Sequence, residues 1–407
     1  RFMTGQWLVL LGYALLPFFV RALFRLLEAP SLKTSLWLAV WMFLVVSVSL
    51  HHVGIMAVVG LVALVAAFTD ARRGRQDIAR FGALSLVVAL GLNLYWLLPM
   101  LSSLNTTVQR FDASHFAAFA TGPLSEVIRL QGFWAEPLKL FVLPKEQLAG
   151  WGVLMVGLWA LVLFGIRTGW HMLRWQTVAI SAGMAVAIIL ATTPLLQWAS
   201  SFLPFVGGYR EPHKFINLVA LGYALCGGLG VMALLSWLAK KYNGTLASTA
   251  IILLLLLPIA LTPTMLWGFS GQLTPRSYPS DWTAMNKYLE RRTQDAVLFL
   301  PWHQYMNFGF VGRIIANPAE KFFSVPIIAG NNPEFRNISP TVPDDTKEHI
   351  SEALQSRNPD FKKLGIRYVL VAKEYDYKKY TSILERSDAI KRHEMKSLIL
   401  YEVGRKP

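Results

Sequence analysis

The chain has 407 residues, of which 54% are hydrophobic and only 15% charged, with a formal net charge of +15. A soluble domain carries about 25% charged residues, so a single water-soluble enzyme core is excluded, as are disordered, collagenous, coiled-coil and disulfide-scaffold classes. The charge is also divided: 18 Lys/Arg and 8 Asp/Glu lie up to Ser270, against 21 and 16 in the much shorter stretch from Gly271. Residues 1–270 therefore read as a membrane body, with a loop at 102–149, and residues 271–407 as a water-soluble domain. The sequence starts at Arg1 with no leader ahead of it, which leads to the expectation that a segment precedes it. The single Cys226 lies in an apolar run and says nothing about compartment.

A membrane crossing needs about 20 apolar residues. In chain order the candidates are Trp7–Leu27, Leu36–Leu50, Val53–Phe68, Phe81–Leu101, Gly150–Gly165, Thr177–Leu195, Phe215–Leu238 and Leu246–Trp267. The run from Leu36 to Phe68 would be roughly 50 Å long as one helix, so it is broken at His51-His52. Basic residues then collect on alternate loops: Arg21, Arg25 and Lys33; Arg72, Arg73, Arg75 and Arg80; Arg167 and Arg174; Lys240 and Lys241. The positive-inside rule assigns these loops to the cytoplasm. The loop 102–149, the loop Gln197–Lys214 and the tail then fall outside it.

Within the outer loop, Leu124, Val127, Ile128 and Leu130 recur at helical spacing between Glu126 and Arg129. This predicts an amphipathic helix over Thr121–Trp134, resting either on the membrane surface or on the protein itself. In the tail, helices are expected at Asp281–Arg292, with Ser280 as cap, and at Asp345–Ser356 and Tyr375–Arg386. Buried strands are expected at Ala296–Leu300, Tyr368–Ala372 and Leu398–Val403. Together these make a small α/β domain on an α-helical polytopic membrane protein. No phosphate loop, zinc spacing or nucleophile elbow occurs, and a metal is not indicated.

The densest polar segment is Gly207-Gly208-Tyr209-Arg210-Glu211-Pro212-His213-Lys214-Phe215, where an outer loop opens an apolar span. Two cations, a carboxylate and an imidazole at a membrane boundary are costly unless paired or liganded. Arg and Lys both suit phosphate oxygens, and Pro212 suits a helix start, placing His213 and Lys214 at the positive end of the helix dipole. The bland alternative is that Arg210 and Lys214 anchor lipid headgroups and Glu211 neutralises them. His51 and His52 fall at the same membrane face. The outer carboxylates able to act as a base are Asp112, Glu126, Glu136, Glu146 and Glu211. Trp134 in the loop, and Trp302 and His303 directly after a strand, are candidate sugar contacts, with packing as their ordinary explanation. Asn105-Thr106-Thr107 and Asn337-Ile338-Ser339 fit the glycosylation sequon.

Tyr209-Arg210-Glu211-Pro212-His213-Lys214-Phe215 resembles the Arg-x-Pro-x-Lys-Phe element of the GT-C superfamily of multi-spanning glycosyltransferases. The resemblance is to the group near the cell-wall arabinofuranosyltransferases and the membrane proteins that glycosylate lipoteichoic acid. Leu298-Phe299-Leu300-Pro301-Trp302-His303-Gln304-Tyr305, Lys363-Leu364-Gly365-Ile366-Arg367-Tyr368-Val369-Leu370-Val371 and Leu400-Tyr401-Glu402-Val403 resemble the tails of that group. The resemblance implies a polyprenyl-phosphate sugar donor, a glycan, lipid or protein acceptor, inversion at the sugar, and no nucleotide sugar; the sequence indicates no cofactor and leaves a divalent metal open. It assigns the donor phosphate to Arg210, Lys214 and His213, with His51 or His52 beside it. In that superfamily a catalytic Asp or Glu follows the first span, and no such loop lies ahead of Trp7, so the main base is expected upstream of Arg1. Two other classes stay open: a transporter or flippase of lipid-linked glycans, disfavoured because no inverted repeat is visible, and a non-catalytic scaffold with a partner-binding outer domain. Nucleic acid is not needed to explain the charge, because +8 of the +15 sits on the cytoplasmic loops.

Overall fold

A computed structural model describes residues 1–69, 74–102, 113–139, 141–203, 205–241, 244–331, 344–356 and 359–404. Asp112, Arg72, Arg73 and both sequons lie outside the described residues. The chain forms two compact units: residues 1–102 and 119–272 in one, residues 113–118 and 273–404 in the other.

The first unit is helical. Its long elements are α1 (Trp7–Glu28), α2 (Leu32–Val48), α3 (His52–Phe68), α4 (Arg75–Ser102), α5 (Trp151–Met172), α6 (Arg174–Thr192), α7 (Ile216–Lys241) and α8 (Gly244–Leu261). They stand where the eight apolar runs were expected. Among the described residues, six stretches are long and apolar enough to cross a membrane, whereas α2 and α3, at 17 residues each, are shorter. The break between α2 and α3 falls at His51, and α2 opens with a capping box in which Ser31 and Thr34 satisfy each other's backbone amides. The last apolar run was expected to continue to Trp267, but α8 ends at Leu261, just before Thr262-Pro263. A residue preceding proline is driven out of helical geometry.

The α5–α7 contact depends on glycine. A Cβ at Gly165 would overlap the Cys226 carbonyl oxygen, and one at Gly230 would overlap that of Leu161. The obstacles are backbone atoms and cannot rotate away, so the helices approach as small residues permit in membrane bundles. Gly165→Ala should therefore cost about 1–3 kcal/mol by overpacking. The check is the unfolding midpoint in detergent, with Gly157→Ala, where a Cβ meets open space, as the neutral comparison.

The expected amphipathic helix over Thr121–Trp134 is not formed. Only Leu124–Val127 is helical, because Leu130 and Gly132 adopt positive φ and the Gly122 amide bonds the Gly132 carbonyl at 2.9 Å, closing the segment on itself. The segment lies on protein: Val127 is fully buried, and the Ile128 carbonyl accepts from Trp159 Nε1 at 3.2 Å and Tyr223 Oη at 2.8 Å.

The second unit is α/β. Strands β1 (Val297–Leu300), β4 (Ile327–Ile328), β5 (Tyr368–Ala372), β6 (Ala389–Glu394) and β7 (Leu398–Val403) form one sheet in the order β4-β1-β5-β7-β6. In it β1 is parallel to β4 and β5, and β7 is antiparallel to β5 and β6. A hairpin pairs β2 (Tyr305–Phe308) with β3 (Arg313–Ala316). Helices α9 (Ser280–Glu290), α10 (Asp345–Gln355) and α11 (Tyr377–Glu385) complete the unit. One core gathers Trp282, Phe299, Phe308 and Leu370; the other gathers Leu298, Trp302, Phe361 and Val371. Successive β1 residues alternate between the two cores, as side chains alternate across a strand. Ser280 is not a cap here: it is the first helical residue after Pro279, and the Asp281 carboxylate accepts from the Ser397 amide and hydroxyl at 2.6 and 2.7 Å.

Candidate functional site

The Gly207–Phe215 segment is built from two short helical turns, Val206–Tyr209 and Pro212–Phe215, that run into α7 at Ile216. Pro212 fixes the start of the second turn and Glu211 takes the preceding cap position. This brings Glu211, His213 and Lys214 inward, at 8%, 7% and 4% exposure. Charged groups so deep must be satisfied by protein, and each finds its partner on another element.

Lys214 Nζ lies 3.5 Å from Glu211 Oε1 and 2.9 Å from His51 Nε2 at the α2–α3 turn. The ammonium can only donate, so His51 accepts at Nε2 and is a neutral imidazole protonated at Nδ1. Burial, then Lys214, then Arg210 and His52, depress His51 to about 3 against the pull of Glu211. Glu211 Oε2 accepts from Gln6 Nε2 at 3.1 Å and lies 3.7 Å from the Arg1 guanidinium. Burial alone would raise the Glu211 carboxyl, but Lys214, Arg1, Gln6 and Arg210 together hold it below its ordinary value.

The Arg1 guanidinium also donates to Gln6 Oε1, approaches His213 Nδ1 at 3.0 Å and lies 4.8 Å over the Phe133 ring. His213 Nε2 is 3.1 Å from the Gln131 carbonyl. A guanidinium donor on one side and a carbonyl acceptor on the other fix His213 as the neutral Nε2–H tautomer. Burial lowers Arg1 to about 10, with Glu211 working the other way. Arg210 sits 5.3 Å over the Phe119 ring and is lowered by burial, partly offset by Glu211. Tyr209 Oη accepts from the Gly54 amide at 2.7 Å, where a Cβ on Gly54 would stand 2.6 Å from the ring. Among the described residues the cluster gathers Arg1, Arg210 and Lys214 around the Glu211 carboxylate, with the Phe133 and Phe119 rings against the two guanidinium groups.

No protein-family profile matches the chain, and no curated protein matches it. In fold it is similar to the cryo-EM structure of arabinofuranosyltransferase AftD from Mycobacteria, at 15% identity and a TM-score of 0.58, over 98% of this chain and 30% of that one. A mutant form of AftD gives 16%, 0.57, 98% and 31%. At this identity the likeness is one of fold. The chain spans less than a third of the length of the AftD structures it matches.

The sequence-derived site residues divide. Arg210, Glu211, His213, Lys214 and His51 come together. His52 is fully buried behind them with its ring against Gly12, where a Cβ would overlap it. Glu126 is half-buried, its carboxylate 2.5 Å from where a Gly122 Cβ would stand. Glu146 reaches back to the Leu143 amide at 3.4 Å. Glu136 accepts from the Phe133 amide at 3.2 Å and lies 4.0 Å from Lys145. Burial raises its carboxyl against those donors, and nearby Glu126 adds to the rise.

Trp134 is buried, edge-on to Phe119 at 5.3 Å. Trp302 and His303 belong to the α/β unit: the Trp302 indole is in its core and donates to Ser351 Oγ at 2.9 Å, and His303 pairs with Asp376 at 3.0 Å. Among the described residues, no three His, Cys, Asp or Glu side chains gather as metal ligands. Sequence reasoning missed Arg1, Gln6 and Gln131. The one signal for Gln6 was a polar side chain immediately before an apolar run; Gln131 contributes only a carbonyl, which no side-chain pattern reveals.

Proposed function

We propose that this chain is the membrane-embedded part of a glycosyltransferase that moves a sugar from a polyprenyl-phosphate donor to a cell-envelope glycan, lipid or protein acceptor at the extracytoplasmic face of the plasma membrane. The observation that supports this reading is the cationic cluster at a membrane boundary: buried Lys214 paired with Glu211 at 3.5 Å, with the half-buried Arg1 and Arg210 beside the same carboxylate. The acceptor oxygen attacks the anomeric carbon as the bond from that carbon to the phosphate oxygen breaks, with inversion. The phosphate leaves carrying the electron pair and one further negative charge, which Lys214 and Arg210 stabilise. Glu211, whose two oxygens are engaged, serves as counter-ion that holds Lys214 in place.

The acceptor proton goes to a carboxylate. Among those described, Glu136 suits the role: it is half-buried, raised by burial, and one turn from Phe133 under Arg1. Glu136→Gln should lower transfer about 10²–10⁴-fold while leaving donor binding intact. The measurement is release of polyprenyl phosphate from a labelled polyprenyl-phosphate sugar by the purified full-length protein. An unchanged rate removes Glu136 from the role, and translocation of the donor with no release at all would favour a flippase instead.

A further inference from the structure

The groove at the α1–α2 turn lies far from the charged cluster. A cavity of about 470 Å³ opens there, lined by Arg21 and Arg25 of α1, Lys33 of α2, and the rings of Phe18, Trp37 and Trp41. Arg21, Arg25 and Lys33 are exposed, and none makes an ion pair among the described residues. Glu28, the nearest carboxylate in sequence, is occupied by Gln176 Nε2 at 2.8 Å. Phe18 and Trp41 stack at 4.8 Å to form an aromatic floor, and the amino end of α2, with its positive dipole, sits at the rim.

Depth follows from helix geometry. Gln6 touches the charged cluster, and Arg25 lies about 28 Å further along α1 at 1.5 Å per residue. That is close to the roughly 30 Å of a bilayer's hydrocarbon core. The groove therefore stands at the opposite headgroup level, where tryptophan rings belong. From Trp37, the exposed Val40 and Leu44 continue an apolar strip along α2 toward the bilayer centre.

We infer that this groove is a binding site for an anionic phospholipid, its phosphate held by Arg21, Arg25 and Lys33 and its acyl chain laid along α2 from Trp37. Three unpaired cations over an aromatic floor complement a phosphate ester with an apolar tail, and the groove opens where such headgroups lie. It is one bilayer thickness from the proposed reaction site, so the lipid held here is not the sugar donor in its reacting position.

The test is native mass spectrometry of the full chain in detergent, titrated with phosphatidylglycerol, phosphatidylcholine or glycerol 3-phosphate. Phosphatidylglycerol should be retained over phosphatidylcholine, and glycerol 3-phosphate should not displace it. A basic residue near the surface is worth about fivefold in anionic lipid binding, so R21Q/R25Q/K33Q should weaken retention roughly a hundredfold. The charge-preserving R21K/R25K should keep it, separating loss of charge from loss of fold. Equal retention of the two lipids, undiminished retention by the triple variant, or displacement by glycerol 3-phosphate would each overturn the assignment.

Discussion

Lys214→Ala is expected to reduce sugar transfer by about 10²–10³-fold, the cost of removing one preorganised group that meets developing charge. The phosphate gains a negative charge only as its bond to the sugar breaks, so kcat should fall further than KM rises. The fold should survive, because the partners released are not stranded: Glu211 keeps Gln6 at 3.1 Å and Arg1 at 3.7 Å, and His51 is neutral without the ammonium. Initial rates with a polyprenyl-phosphate sugar, read beside the unfolding midpoint of the same preparation, distinguish the outcomes. Full activity would remove Lys214 from the phosphate. A collapsed midpoint with the rate lost in proportion would make it a structural ion-pair member.

The apolar helices were legible because hydropathy acts over about 20 residues and needs no partner: a helix stands at each of the eight runs, six of the stretches being long and apolar enough to cross a membrane, and the break at His51-His52 followed from length alone. The strands β1, β5 and β7 were equally clear, since each is buried along its whole length. The edge strand β6 was missed because Lys391, Arg392 and Glu394 give it no apolar signature. The two-residue β4 is too short to carry one. The loop helix failed for a different reason. Its period was correct, but the positive φ at Leu130 and Gly132 reversed the chain after one turn, a tertiary demand that periodicity does not contain. In the site, the chemistry of Arg210–Lys214 could be read from residue type, whereas its pairings could not. Lys214 meets His51, 163 positions away, and Glu211 meets Gln6 only because α1, the α2–α3 turn and α7 end together.

The largest stability effect is expected for Glu211→Gln. The amide keeps the shape and one hydrogen-bond acceptor but leaves Lys214 and Arg1 without their shared negative partner in a buried setting, a change that costs about 3–5 kcal/mol. The pH dependence gives this its signature. The folded-state pKa of Glu211 is lowered, so its contribution is complete above the ordinary value of 4.5 and is lost as pH falls through the lowered one. His51, depressed from 6.5 to about 3, contributes above 6.5, and its share drains away from there down toward pH 3. Wild-type protein should accordingly lose stability on acidification in two stages, the first from His51 and the second from Glu211. The variant should start lower at pH 7 and show the His51 stage alone, with the gap to wild type closing only below pH 4.5. Unfolding midpoints in detergent from pH 7 to pH 3.5 measure both curves. A gap that closes instead between pH 6.5 and 5 would place the stabilising charge on His51 rather than on Glu211, and would turn the proposed counter-ion into a bystander.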